Sequence, residues 1–190
     1  MKYTQVKMTS SSLKVGSRLP SLVLQNIHGE SVDIRTLCHS PTLFILLRHL
    51  AWLSCQEHLG EVQRHDEEFK KIGVQVVIVA FASLKTLQPY QKIYQWRYPI
   101  LSDSQRQLYH LLGLQKGAFF QIFHPKTVMN YARYMIEGKK IEKTKEDIYQ
   151  LGGDFIFDRE GVYRFGYPSR RPDDRPLVSL LIQKLSTLHL

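Results

Sequence analysis

Cys38 and Cys55 are the only thiols in the 190-residue chain. Cys55 stands in RHLAWLSCQEH (48–58), between an apolar run and an amphipathic stretch. Arg48 and His49 precede it, Trp52 and Ser54 lie three and one residues before it, and His58 three after. A thiol reacts as its thiolate, and cationic neighbours or the first turn of a helix favour that form. The residue set points to nucleophilic or redox chemistry at sulfur. On a helix, residues 55 and 58 share one side. A metal at Cys55-x-x-His58 would need two further ligands that no spacing supplies, so neither metal nor cofactor is expected. The competing reading makes Cys55 a small buried hydrophobe, as free cysteines often are. Cys38, in the breaker-rich link before Pro41, reads as a structural thiol. A bond between the two sulfurs would need Cα atoms within about 7 Å.

The elements around Cys55 must present it. TLFILLRH (42–49) is a continuous apolar run, suited to a central strand covered on both faces. Ser54 with Glu57 three residues on makes a capping-box pattern. The helix that follows carries Leu59, Val62, Phe69 and Ile72 on one face and ends at Gly73. Cys55 therefore falls where a central strand hands over to a helix, at the sheet edge where α/β proteins gather their sites.

The remaining elements surround that pair. LPSLVLQNIHGESVDI reads as two short strands turning at His28-Gly29-Glu30. VQVVIVAF (74–81) is a second buried strand. Residues 84–95 form a helix with Pro89 in its first turn, and YPILS is a third strand. Asp103 or Ser104 caps a helix closed by Gly113. A helix is expected from Pro125 to Gly138, then a charged surface loop over 139–147. GGDFIFDREGVYRFGY forms a hairpin with Gly161 in its turn. Leu177, Leu180, Leu181 and Leu185 mark a last helix. Phe119, Phe120 and Phe123 suit a core or a homodimer contact. Strands alternating with helices, closed by a hairpin, predict an α/β three-layer sandwich with a mixed sheet. Residues 1–14 read as a flexible arm and 15–190 as one domain.

Bulk properties narrow the function. The formal net charge is +9, from 26 basic and 17 acidic residues. The basic residues are scattered, and the clusters GKKIEKTKED and SRRPDDRP are interleaved with acids, so they read as solvated loops. Nucleic-acid binding is not expected. No apolar run of about 18 residues exists, so no membrane span is expected. The polar start argues against a secretory signal. Two cysteines make no disulfide framework, and a reducing cytoplasm is the expected compartment.

Four stretches, in this order, resemble the alkyl hydroperoxide reductase/thiol-specific antioxidant (AhpC/TSA) family, in its peroxiredoxin-like branch. VGSRLPSLVLQNIHGESVDI resembles the opening hairpin, and TLFILLRHLAWLSCQEH the strand, redox motif and helix. YPILSDSQRQLYHLLGL resembles a strand, Ser-Asp and helix, and YQLGGDFIFDREGVYRFGYPSRRPDDRP the closing hairpin. The resemblance spans about residues 15–185 and implies a thioredoxin fold with an N-terminal β-hairpin. The branch carries Cys-x-x-Cys after an Arg-His pair. Here Arg48-His49 stands, but the motif is Trp52-Leu53-Ser54-Cys55, so only the second cysteine remains. Typical peroxiredoxins have threonine at position 52 and proline at position 48. An indole has one donor and no acceptor, unlike the threonine hydroxyl. Gly152 and Gly153 stand where the family places a cis-proline, allowing close backbone approach.

The resemblance implies a one-cysteine peroxidase. Cys55 would attack a hydroperoxide, Arg48 would stabilise developing charge, and a thioredoxin-like protein or glutathione would reduce the sulfenic acid. The alternative is a non-catalytic thioredoxin-fold binding protein using a groove beside Trp52 and Gly153.

Overall fold

The computed structural model describes residues 12–48, 53–117 and 149–189, together with positions 129, 133, 136 and 147. The apolar run before Cys55 is a strand, β3 (Thr42–Leu46), buried along its whole length. Its side chains divide by parity. Leu43, Ile45 and Leu47 enter one core with Cys55, Leu59 and Leu181. Phe44 and Leu46 enter a second core with Leu108, Tyr109 and Phe157. A strand feeding two cores has no polar face, which is why its sequence shows no alternation.

Around β3 the sheet has seven strands: β1 (Val23–Asn26), β2 (Ser31–Asp33), β4 (Gln75–Ala80), β5 (Ile100–Ser102), β6 (Gly153–Phe157) and β7 (Tyr163–Pro168). Their spatial order is β2-β1-β5-β4-β3-β6-β7. β3 pairs parallel with β4 and antiparallel with β6, and β4 pairs parallel with β5. The helices are α1 (Leu53–Arg64), α2 (Asp66–Lys71), α3 (Leu84–Tyr94), α4 (Gln107–Leu111) and α5 (Val178–Ser186). Residues of α1, α3 and α5 fill the first core and residues of α4 the second, so the sheet is covered on both faces. This is the α/β sandwich with a mixed sheet and N-terminal hairpin expected from the sequence.

Three local expectations need correction. The helix after β3 is two helices, broken at His65. The break suits the charges: Asp66, Glu67 and Glu68 fill the first turn of α2, and Lys70 and Lys71 its last, each at the end its dipole favours. Pro89 is not in a first turn but inside α3. It lies on the exposed side, where water can hydrate the carbonyl left without its amide partner. Ser54 is not an N-cap: α1 is already under way at Leu53, and the Ser54 hydroxyl donates to the Pro172 carbonyl at 3.0 Å. Residues 1–11 of the expected arm, Phe119, Phe120, Phe123 and most of the Pro125–Gly138 helix lie outside the described residues, although positions 129, 133 and 136 are helical.

Asp103 governs the entry to α4. Its carboxylate accepts the amides of Gln107 and Leu108, both at 2.8 Å, and of Tyr109 at 3.3 Å. Burial nonetheless pushes its pKa up to about 6, against the opposing pull of those amides. The folded state thus keeps this proton to higher pH than the unfolded chain. Folding takes up a proton between about pH 4 and pH 6, so stability falls as pH rises through that window. The loss expected is on the order of 2–3 kcal/mol. Urea melts at pH 4 and pH 7 should show this decline in the wild type and a flatter profile in Asp103→Asn.

Candidate functional site

β3 ends at Leu46, and α1 begins seven residues later, so Cys55 lies in the first turn of α1 beyond the carboxyl end of the strand. It is 1% exposed. Its sulfur meets a side chain from 120 positions along the chain: Arg175 Nη2 approaches Sγ at 3.8 Å. The same nitrogen donates to the Leu46 carbonyl at 3.0 Å, at the end of β3. Nη1 donates to Asp154 Oδ2 at 3.0 Å. The other carboxylate oxygen, Oδ1, is 2.7 Å from His58 Nε2. One guanidinium thus bridges thiol, strand end and carboxylate, and the carboxylate bridges on to the imidazole one turn beyond Cys55.

Each member has a structural reason for its place. Asp154 sits in β6 opposite Ile45 of β3 and is fully buried. Burial works to raise its pKa, but His58 and Arg175 outweigh it and hold the carboxyl below the ordinary range. Burial likewise works against charge on Arg175, yet Asp154 and Cys55 more than offset it, and its pKa is raised. Arg175 therefore stays a cation at any working pH. Two prolines, Pro172 and Pro176, flank the segment that delivers it, and the Pro172 carbonyl is tied to α1 through Ser54.

Gly152 makes the arrangement possible. A Cβ there would collide with the Leu46 carbonyl and lie 2.8 Å from Arg175 Nη2 and 3.0 Å from the Arg48 amide nitrogen. At Gly153 a Cβ would lie 2.8 Å from both the Tyr167 carbonyl and the Phe155 ring. Arg48 follows β3 and is buried, 1% exposed. His49 and Trp52 lie outside the described residues.

The sequence reading missed Arg175 and Asp154. Arg175 belongs to SRRPDDRP, read as a solvated loop, and the structure corrects that reading: its side chain is 7% exposed. The only local hint is the pair of prolines, which stiffen the run. Asp154 stands in an otherwise apolar strand, where a buried charge requires a partner.

Cys38 belongs to the second core and Cys55 to the first, on opposite faces of the sheet, and both are free thiols. Burial pushes the Cys38 pKa up to about 11, which keeps it protonated and unreactive. Among the described residues no cluster of three or more His, Cys, Asp or Glu could hold a metal ion, and no helix is long and apolar enough to cross a membrane.

Comparison with known proteins adds a family. No curated protein sequence matches the chain. Solved structures do, at identities that carry the fold alone. Peroxidoxin BcpB from Mycobacterium tuberculosis is 15% identical, with a TM-score of 0.65 over 93% of this chain and 97% of that one. A mutant of PrxQ from Xylella fastidiosa is 12% identical, with a TM-score of 0.70 over 95% and 99%. A mutant of peroxiredoxin 6 from Arenicola marina is 14% identical, with a TM-score of 0.72 over 94% and 74%. The profile of one family, AhpC/TSA antioxidant enzyme, matches residues 62–171, from the second half of α1 to the segment after β7. With a peroxiredoxin-like thioredoxin fold and more than half its length matched, the chain belongs to the AhpC/TSA antioxidant enzyme family.

Proposed function

We propose that the protein is a thiol peroxidase working through Cys55 alone. The observation that carries this reading is the buried Arg175 guanidinium 3.8 Å from Sγ in the first turn of α1. A cation fixed beside a thiol at a helix N-terminus favours the attacking thiolate. Sγ attacks one oxygen of a hydroperoxide. An S–O bond forms, the O–O bond breaks, and the other oxygen leaves with a proton as alcohol or water. Cys55 is oxidised to a sulfenic acid, and the peroxide is reduced. Arg175 Nη2 is placed to stabilise negative charge on the separating oxygens. Arg48 and Gly152 are the supporting residues in this reading: Gly152 lets the end of β3 close on Arg175, and Arg48 follows that strand end with its side chain buried.

Cys38 cannot resolve the sulfenic acid from the opposite face of the sheet. The reductant is therefore an external thiol, as is general among peroxiredoxins. A first thiol condenses with the sulfenic acid, releasing water and leaving a mixed disulfide. A second thiol displaces it and restores Cys55.

The test is brief exposure to a limiting hydroperoxide with a sulfenic-acid trap present, followed by intact-mass and peptide analysis. The expected product is one trap adduct per chain, located at Cys55, with Cys38 unmodified. Cys55→Ser should give none. A wild-type protein that takes up no trap while its Cys55 remains a free thiol would reject the peroxidase reading.

A further inference from the structure

We propose that Tyr109 is a positioning residue for Cys55: from the opposite face of the sheet its hydroxyl fixes the end of β3, and through that strand end it holds Arg175 against the sulfur. The inference rests on the peroxidase reading and deepens it at the same site.

β3 hands the chain on toward Cys55 through the Leu46 and Leu47 carbonyls, and strand pairing runs out just there. The registers with β4 and with β6 both end at Leu46. The Leu47 amide adds one more bond, to the Val79 carbonyl at 2.8 Å. The backbone groups of successive strand residues point to opposite neighbours. The Leu47 carbonyl therefore faces β4, on the side of its own amide. The Leu46 carbonyl faces β6, where a Cβ at Gly152 would strike it. β4 ends at Ala80, so the Leu47 carbonyl lies beyond the last rung, and a buried carbonyl needs a donor from elsewhere.

Side chains take both carbonyls. Arg175 Nη2 donates to Leu46 at 3.0 Å. The Tyr109 hydroxyl donates to Leu47 at 2.5 Å, and its oxygen lies 3.1 Å from the Val79 carbonyl. The two donors come from opposite faces of the sheet. Arg175 meets Cys55, which belongs to the first core, and Tyr109 belongs to the second. Between them they grip the last two residues before Arg48. The two peptide planes are rigid and share the Leu47 Cα. A shift of the Leu47 carbonyl thus carries the Leu46 carbonyl with it, and with that an anchor of the nitrogen 3.8 Å from Sγ.

Tyr109 is itself firmly held. It is fully buried, and its ring meets Phe81 edge-on at 5.7 Å between centroids. The Asp103 carboxylate takes its amide and those of Gln107 and Leu108, so the start of α4 is set from the end of β5. Phenylalanine would pack the same ring with no polar group to satisfy. What the hydroxyl adds is the bond to the strand end.

Tyr109→Phe removes the donor and keeps the ring. Oxidation of Cys55 by hydrogen peroxide, followed by stopped flow, should slow by about tenfold, less than the ~100-fold that a misplacement of about 1 Å can cost. Made in Arg175→Gln, the same change should alter the rate by less than about twofold, because the group through which Tyr109 acts is already gone. Equal slowing in the two backgrounds would overturn the proposal, since the hydroxyl would then act on the fold and not through Arg175. Leu108→Val trims the same core from the same helix and removes no hydrogen bond from the strand end. Its rate should stay within about twofold of wild type, and a loss as large as that of Tyr109→Phe would also overturn the proposal. A crystal structure of Tyr109→Phe provides a readout that needs no peroxide. The Leu47 carbonyl should be displaced and Arg175 Nη2 should lie farther from Sγ, whereas an unmoved Arg175 overturns the proposal. If wild-type Cys55 does not react with peroxide, the peroxidase reading fails, and this structure still judges the grip on the strand end. If it reacts, and Tyr109→Phe reacts as fast, the positioning role fails alone.

Discussion

Replacing Arg175 by glutamine is expected to slow oxidation of Cys55 by hydrogen peroxide by about 10²–10³-fold, the usual cost of deleting one preorganised charge-stabilising group. Arg175 Nη2 lies 3.8 Å from the sulfur, and the guanidinium is held by the Leu46 carbonyl and by Asp154, whose other carboxylate oxygen meets His58. Glutamine keeps a polar side chain but loses the charge, so the thiolate and the departing oxygen lose their counter-ion together. Arg175→Lys separates charge from shape. An ammonium cannot reach thiol, carbonyl and carboxylate at once as a planar fork does, so an intermediate loss of about 10–100-fold is expected, within the range of one misplaced electrostatic contact. Stopped-flow oxidation of each variant, after circular dichroism has verified the fold, is the measurement. Wild-type rates in Arg175→Gln would remove Arg175 from the chemistry and leave the sulfur without its proposed activator.

The position of Cys55 was legible in the sequence because it depends on local patterns. An apolar run followed by an amphipathic stretch defines a strand end and a helix start, and the thiol stands between them. β3, β4 and the closing hairpin are legible for the same reason: burial on both faces leaves an unbroken apolar run, and Gly161, with φ of 72°, marks its turn. What surrounds the sulfur was not legible. Arg175 and Asp154 reach the site through tertiary contacts spanning 120 and 96 residues, measured from Cys55 and His58, and no periodicity records such a meeting. SRRPDDRP has the composition of a solvated loop, because composition counts charges without knowing where they point. Ser54 shows how a correct motif can be overruled. Ser-x-x-Glu fits a capping box, but with the helix already begun at Leu53 the hydroxyl is free to tie down the segment that delivers Arg175. His58 was placed on the same helix side as Cys55, yet its partner is the carboxylate behind Arg175, so it acts on the sulfur at two removes.

The largest stability effect is expected at that carboxylate. Asp154→Ala should destabilise the protein by about 3–5 kcal/mol, the cost of breaking a buried ion pair by removing one partner. Asp154 is fully buried and bonded through both oxygens, to His58 at 2.7 Å and to Arg175 at 3.0 Å. Alanine would take from the charged guanidinium its carboxylate and from His58 Nε2 its only partner among the described residues. Asp154→Asn keeps the shape and one acceptor, so a smaller loss of about 1–3 kcal/mol is expected, the cost of an imperfectly satisfied buried group. The carboxyl's lowered pKa fixes the pH dependence. The folded state binds this proton more weakly than the unfolded chain, so the contribution is fully present above the ordinary carboxylate range and is lost as pH falls below it. That direction is opposite to the one set by Asp103, so each variant flattens a different part of the profile. Asp154→Ala combined with Arg175→Met should cost less than the sum of the single changes by about 1–3 kcal/mol, because removing both ions strands neither. Chemical denaturation of the four proteins closes that cycle. Additive losses would mean that the carboxylate and guanidinium stabilise the fold independently. In that case Asp154 would not be what holds Arg175 against the sulfur.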